Sequence, residues 1–310
     1  MSPEANFHAE SGLGPESSPS SRGRVWFDAL TGGAGVISSG PRSVCVADVA
    51  LGNETARFIA VVPDAQNRFP RARAGEVGLD EGWALARHVR ATMAADLTDG
   101  TAARRPIIAI VDVSSQAYGR REELLGIHLA CAAAADAYAS ARLAGHPVIA
   151  LLVGKAMSGA FLAHGYQANR IIALDSAEVM VHAMGKQAAA RVTRSSVEKM
   201  EKLGEQIAPM AYDIRSYDKL GLLHKLIVGV EADAPRGIDV DRVRAELVSA
   251  IADARAGAPD LACRLTSPAA RKTRAASIEV RRRLAEQWRL AEQSQSPEES
   301  QSPEQSDVRS

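Results

Sequence analysis

Two apolar runs, "PIIAIVDV" (106–113) and "PVIALLV" (147–153), most constrain what this chain can fold into. Uninterrupted runs of this length, rich in Ile and Val, are typical of strands buried on both faces of a parallel sheet. They fall far short of the ~20 residues a membrane-crossing helix needs. Between them, 121–145 reads as one long helix that ends at Gly145, where a C′ glycine belongs. Strand, helix, strand in that order indicates an α/β architecture with a largely parallel sheet.

The rest of the chain extends this pattern. "SVCVADVAL" (43–51) and "ARFIAVVPD" (56–64), separated by Gly52-Asn53, predict a hairpin. Residues 79–97 carry apolar positions at helical spacing. A short helix is expected over 158–167, and short strands over 170–174 and 178–183. Beyond Lys186 the chain turns helical, over 195–208, 211–227, 240–256 and 269–291. The first of these starts with Ser195 and Glu198 as a capping box.

Both ends look different. Residues 1–22 and the doubled "SQSPEE/SQSPEQ" near 294–306 are rich in Ser, Pro and Glu. Such segments bury too little to offset ordering entropy, so both are expected to be disordered tails. The expected organisation is a tail over 1–22, a catalytic-type domain over 23–230, C-terminal helices over 231–292 and a tail over 293–310. The N-terminus has no basic and apolar regions of a signal peptide.

Composition narrows the function. Lys+Arg and Asp+Glu are both 37, a formal charge of zero, which argues against bulk nucleic-acid binding or a polybasic membrane surface. Three widely spaced cysteines, Cys45, Cys131 and Cys263, form no disulfide framework or zinc pattern, which fits a reducing cytoplasm. Abundant alanine with few aromatics suits closely packed helices on a sheet.

In an open α/β sheet, ligands bind beyond the carboxyl ends of the strands. Both buried runs end in loops that lead straight into a helix, "DVSSQAYGRREE" (112–123) and "GKAMSGAF" (154–161). A helix start leaves N–H groups unpaired, and small residues let a ligand oxygen approach them. Ser158, Gly159 and Ala160 therefore form a candidate oxyanion hole. The bland alternative is that they merely pack the helix onto its strand. Lys155 could face solvent, meet an acidic partner or attract a substrate carboxylate. Tyr118 could be a pocket wall or a proton donor, and Met157 a gap-filler in the core. Glu122 and Glu123 suit a first helical turn without any chemistry.

The block "IVDVSSQAYGRREELLGI…GHPVIALLVGKAMSGAFLAHG…VMVHAMG" resembles the carboxyltransferase branch of the crotonase-like superfamily. With "RFIAVVPDAQNRFPRARAGEVGLDEGWALA" and "MVHAMGKQAAARVT" it is most similar to the gamma subunits of biotin-independent malonate decarboxylases. The resemblance implies a crotonase-like ββα superhelix. It also implies a homologous beta subunit, with the active site between the two. The pair would decarboxylate a malonyl thioester carried on the prosthetic group of an acyl carrier protein, giving the acetyl thioester and carbon dioxide. An alpha subunit would exchange acetyl for malonyl on the carrier. The family's peptide donors would map to the N–H groups around Ser158, Gly159 and Ala160 and around Gln116 and Ala117. Lys155, Met157 and Tyr118 would border the substrate. No biotin, metal or redox cofactor is implied in this chain. Biotin-dependent relatives carry "GGSGGA" where this chain has "GKAMSGA", a departure that fits loss of biotin.

Three other readings remain open. A Clp-like serine peptidase or acyl hydrolase would use Ser158 and His182, with Asp213 as a possible acid. A biotin-dependent carboxyltransferase subunit would share the fold. A non-catalytic partner subunit would supply no site groups. The basic 270–292 segment could dock an acidic carrier or simply be a solvated helix face.

Overall fold

The computed structural model describes residues 21–295 apart from Ser38, Asp99, Thr101 and Ala102, so most of both tails lies outside it. A helix absent from the expectations opens the described part: α1 (Arg22–Thr31), capped by Ser21. Its Trp26 is fully buried and donates from Nε1 to the Ala232 carbonyl at 2.9 Å. Arg22 pairs with Asp233 at 2.6 Å, so residues 21 and 22 belong to the folded part.

The expected hairpin is present as β1 (Val44–Leu51) and β2 (Glu54–Val61), antiparallel across Gly52-Asn53. Then come α2 (Leu79–Thr98) and β3 (Ile107–Val113), parallel to β2. The long helix expected over 121–145 is instead two, α3 (Arg120–Leu124) and α4 (Ile127–Leu143). They are separated at Gly126, whose φ of 82° no continuing helix accepts. α2 lies against α4 so closely that a Cβ on Gly82 would fall 2.8 Å from the Ala130 backbone. This close approach is what the small residues of both helices permit.

β4 (Val148–Met157) follows, then α5 (Ser158–Ala163), β5 (Arg170–Leu174) and β6 (Met180–His182). β4 runs four residues beyond the apolar run that announces it. Its first half pairs with β5 and its last three residues with β6. Next come α6 (Lys186–Val192) and α7 (Val197–Gln206), whose cap is Ser196, not Ser195. The Ser196 hydroxyl accepts from Lys199 N–H at 3.2 Å. The helix expected over 211–227 is only α8 (Ile214–Lys219). The chain then turns at Gly221 and forms β7 (Lys225–Ile227), the edge strand beside β5. Last are α9 (Gly237–Ala256), α10 (Cys263–Thr266), α11 (Pro268–Thr273) and α12 (Ala275–Gln295), so the 269–291 helix also divides, at Arg274.

The sheet order is β1-β2-β3-β4-β5-β7, with β6 on β4. One core runs beneath it, from Trp26 and Phe27 through the strands to Val243, Leu247 and Ile251 of α9. No described helix is long and apolar enough to cross a membrane.

Within this core sits a buried polar pair. His164 Nε2 bonds the Ile110 carbonyl at 2.9 Å, so that nitrogen carries the proton. Tyr138 then donates its hydroxyl to Nδ1 at 3.0 Å. Burial pushes the His164 pKa down to about 4. In the unfolded chain it returns to about 6.5. The unfolded state therefore takes up the proton first. Stability is complete above the unfolded value and declines as pH falls from there toward the folded one. Urea unfolding at pH 7 and pH 5 should show about 2 kcal/mol more acid sensitivity in the wild type than in His164→Leu. Equal sensitivity in both would contradict a neutral buried His164.

Candidate active site

The site is built at the carboxyl ends of β3 and β4. Pairing between them shifts abruptly: Val111 faces Leu152, but Val113 faces Ala156. β4 thus spends two extra residues here, a bulge around Gly154 and Lys155. Asp112 explains it. Its carboxylate reaches into the bulge, accepting from Lys155 N–H and from Gly23 N–H, both at 3.1 Å. A Cβ on Gly154 would lie 2.1 Å from Asp112 Oδ1, so only glycine fits. The sequence signal for this tie is an acid, Asp112, at the end of an otherwise apolar strand.

β4 then delivers Ser158 in the left-handed region, at φ 62°. For a residue with a Cβ this costs about 1–2 kcal/mol. The turn brings Ser158 and Gly159 against Gln116 from the loop after β3. Gln116 Oε1 accepts from Ser158 Oγ–H at 2.6 Å and from Gly159 N–H at 2.9 Å. The two loops expected to share a site do meet, but through a side chain.

The Gln116 loop is fixed from behind. Val77 and Gln116 form a parallel bridge. Ala117 N–H donates to the Val77 carbonyl at 2.8 Å, so Ala117 has no N–H to offer a ligand, contrary to its expected role. Next to Val77, Gly78 N–H donates to Glu81 at 3.0 Å. Glu81 is fully buried and also receives Ser43 Oγ–H and Asn67 Nδ2–H. Burial pushes its pKa upward, opposed by those hydrogen bonds.

The remaining expected residues are dispersed. Ala160 is buried in the first turn of α5. Met157 is buried and Lys155 is exposed. Tyr118 is 46 % exposed and stacks under the Arg71 guanidinium, 4.2 Å from the ring centre.

Ser158 and Gly159 open onto a mainly apolar cavity of about 470 Å3, walled by Phe161, His182, Tyr217 and Leu222 among others. Tyr217 and Leu222 fall within the segment expected as one helix over 211–227, and nothing in their spacing marks them as cavity wall. The hydrolase constellation is not assembled. Ser158 donates to Gln116, and no hydrogen bond links it to His182. His182 bonds the Met184 backbone through Nδ1 at 3.1 Å and stacks on Tyr212 with ring centres 3.9 Å apart. Burial lowers its pKa. The Asp213 carboxylate caps α8 by accepting from Ser216 N–H at 2.8 Å. Among the described residues no group of three or more His, Cys, Asp or Glu side chains is placed to hold a metal.

Comparison with known proteins follows the same line. Residues 72–288 match the family model of the malonate decarboxylase gamma subunit. The chain is 56% identical to a chain of a Pseudomonas malonate decarboxylase hetero-tetramer solved in complex with coenzyme A. That likeness covers 86% of this chain and 100% of the other, at a TM-score of 0.82. It is 54% identical to a chain of the Pseudomonas MdcD-MdcE hetero-dimer, covering 86% and 99% at a TM-score of 0.78. It is also 37% identical, over 194 residues, to the malonyl-S-ACP:biotin-protein carboxyltransferase MADD of Malonomonas rubra. That match takes in 62% of this chain and 66% of the relative, just under two thirds of its length. With its crotonase-like carboxyltransferase fold, the chain belongs to the malonate decarboxylase gamma subunit family.

Proposed function

We propose that this chain is the gamma subunit of a malonate decarboxylase. With a homologous beta subunit it forms a site that converts a malonyl thioester on an acyl carrier protein into the acetyl thioester and carbon dioxide. The observation that carries this reading is the meeting of Gln116 with Ser158 and Gly159, two residues that line an apolar cavity. Loss of carbon dioxide leaves an electron pair on an enolate. Fixed donors that face the developing oxygen charge lower that barrier, most of all where water is excluded. A proton then reaches the enolate carbon.

The beta subunit supplies the missing wall. Leu124, Leu125, Leu129 and Leu162, on the helices that follow the two loops, are each more than half exposed. Uncovered leucines at a catalytic rim fit burial by a partner chain. A carrier protein's prosthetic arm and coenzyme A share the same pantetheine thiol, so the coenzyme A complex of the Pseudomonas relative supports a thioester substrate. An alpha subunit that recharges the carrier completes the proposed assembly.

The Malonomonas relative favours a second reading, carboxyl transfer to a biotin protein. The strand geometry speaks for decarboxylation. Lys155, Ala156 and Met157 are paired with β6 residues Met180, Val181 and His182, and so form a strand where biotin-dependent relatives are glycine-rich. The test is to co-express the chain with its beta subunit and supply malonyl carrier protein. Acetyl carrier protein and carbon dioxide should form in equal amounts, unaffected by avidin. A strict requirement for a biotinylated protein would overturn the reading.

Ser158→Ala removes one hydrogen bond, worth about 1 kcal/mol, and leaves the Gly159 N–H contact. The rate should fall less than about tenfold, and fluorophosphonate should not label the wild type. Complete loss of activity together with labelling at Ser158 would restore the hydrolase.

A further inference from the structure

We infer that the side-chain amide of Gln116 is the donor that meets an oxygen of the malonyl thioester, with Ser158 and Gly159 fixing its direction from behind. This rests on the decarboxylase reading above. It moves the donor from the backbone N–H groups to a side chain.

The orientation of the amide is forced by its neighbours. A backbone N–H can only donate, so the Gln116 atom 2.9 Å from Gly159 N must be the oxygen. The Ser158 hydroxyl donates to that same oxygen at 2.6 Å. Both oxygen lone pairs are then in use, and the amide plane is set. The nitrogen, with its two N–H bonds, is left with no hydrogen bond among the described residues. A carbonyl that accepts two hydrogen bonds polarises its own amide and makes the N–H groups stronger donors.

Two of the five backbone candidates are already committed. Gly159 N–H is spent on Gln116 and Ala117 N–H on Val77. The place of Gly159 follows as well. A Cβ there would lie 3.2 Å from Oε1 and 3.3 Å from Cδ, so glycine lets the amide lie against the turn. Gln116 is partly exposed, unlike the fully buried Ala117 beside it, so its amide can be reached. Ser158 is a positioning residue in this scheme. Its left-handed backbone aims the hydroxyl at Oε1.

The opposite possibility is that Gln116 is a stopper which substrate displaces to reach Gly159 N–H. The two make opposite predictions. The experiment uses the gamma–beta complex with malonyl carrier protein, measuring kcat and KM for carbon dioxide release. Gln116→Glu keeps an oxygen for Ser158 and Gly159 but has no N–H and adds negative charge. Gln116→Ala removes the amide altogether. Both should lower kcat by about a hundredfold or more, the usual effect of deleting an oxyanion donor. Ser158→Ala should lower kcat several-fold with KM little changed. Thermal unfolding of all three complexes should lie within a few degrees of the wild type, because Gln116 and Ser158 lie outside the core and only one or two hydrogen bonds are lost. Wild-type or faster turnover by Gln116→Ala, beside an active wild type, would overturn the amide's role and leave the decarboxylase reading standing. Failure of the wild-type complex to release carbon dioxide would overturn both.

Discussion

Replacing Gly159 by valine should lower decarboxylation by the assembled enzyme by about a thousandfold while leaving the chain folded. The position is in contact with the Gln116 amide, where even the first added carbon would stand 3.2 Å from Oε1. Valine adds two more carbons in the same direction. Gln116 must then leave, which breaks its bonds to Ser158 and Gly159 together. Losing one preorganised donor typically costs about 3–4 kcal/mol of transition-state stabilisation, and the bulk also intrudes on the cavity mouth. Gly159 has ordinary backbone angles, since it is not among the positive-φ glycines, so the substitution adds no backbone strain. Circular dichroism and co-purification with the beta subunit should be unchanged. Full activity in this variant would mean that the β4–α5 turn does not touch the reaction and would favour a non-catalytic role for this chain.

Gly154→Ala should show the reverse pattern, a loss of stability that precedes any loss of chemistry. Its Cβ would lie 2.1 Å from Asp112 Oδ1 and 2.5 Å from Cγ, a contact that neither group can sustain. The carboxylate must swing away and abandon the N–H groups of Gly23 and Lys155. Overpacking costs about 1–3 kcal/mol, and each hydrogen bond to a charged acceptor about 1.5–3 more, so a total of at least about 4 kcal/mol is expected. Chemical denaturation of the purified chain measures it directly. The double variant Asp112→Ala/Gly154→Ala should recover most of that cost relative to additivity, because the Asp112 bonds are then lost only once and the clash has no partner. Strict additivity would show that Gly154 is required for some reason other than Asp112.

The hydrophobic signals of this sequence located the sheet but not its functional end. Apolar runs placed β3 and β5 within a residue, and Gly52-Asn53 placed the hairpin turn. The end of β4 was not legible. Gly154 and Lys155 look like a loop by propensity, yet a bulge around a buried carboxylate and pairing with β6 keep them in the strand. Helix breaks were equally hidden. Gly126 inside an otherwise continuous helical pattern, and Gly221 before a three-residue edge strand, act through backbone angles that apolar spacing does not record. That Ser158-Gly159 and the 114–118 loop lie together could be read from their places at the ends of two buried strands. The partner that joins them could not. A glutamine in a loop is usually a solvated residue, and only three-dimensional placement shows its oxygen held by both Ser158 and Gly159.

Asp112 also joins parts of the molecule that are made at very different times. One oxygen holds the start of α1, the other the bulged strand that leads to Ser158. α1 is in turn secured by Trp26 on the Ala232 carbonyl and by Arg22 on Asp233, contacts 206 and 211 residues apart in sequence. Contacts of such separation form late, because a long loop must close before they are rewarded. On the ribosome, the strand and both loops of the site emerge well before Ala232 and Asp233 do. The nascent chain therefore carries the β4–α5 turn without this support until Ala232 and Asp233 have been made.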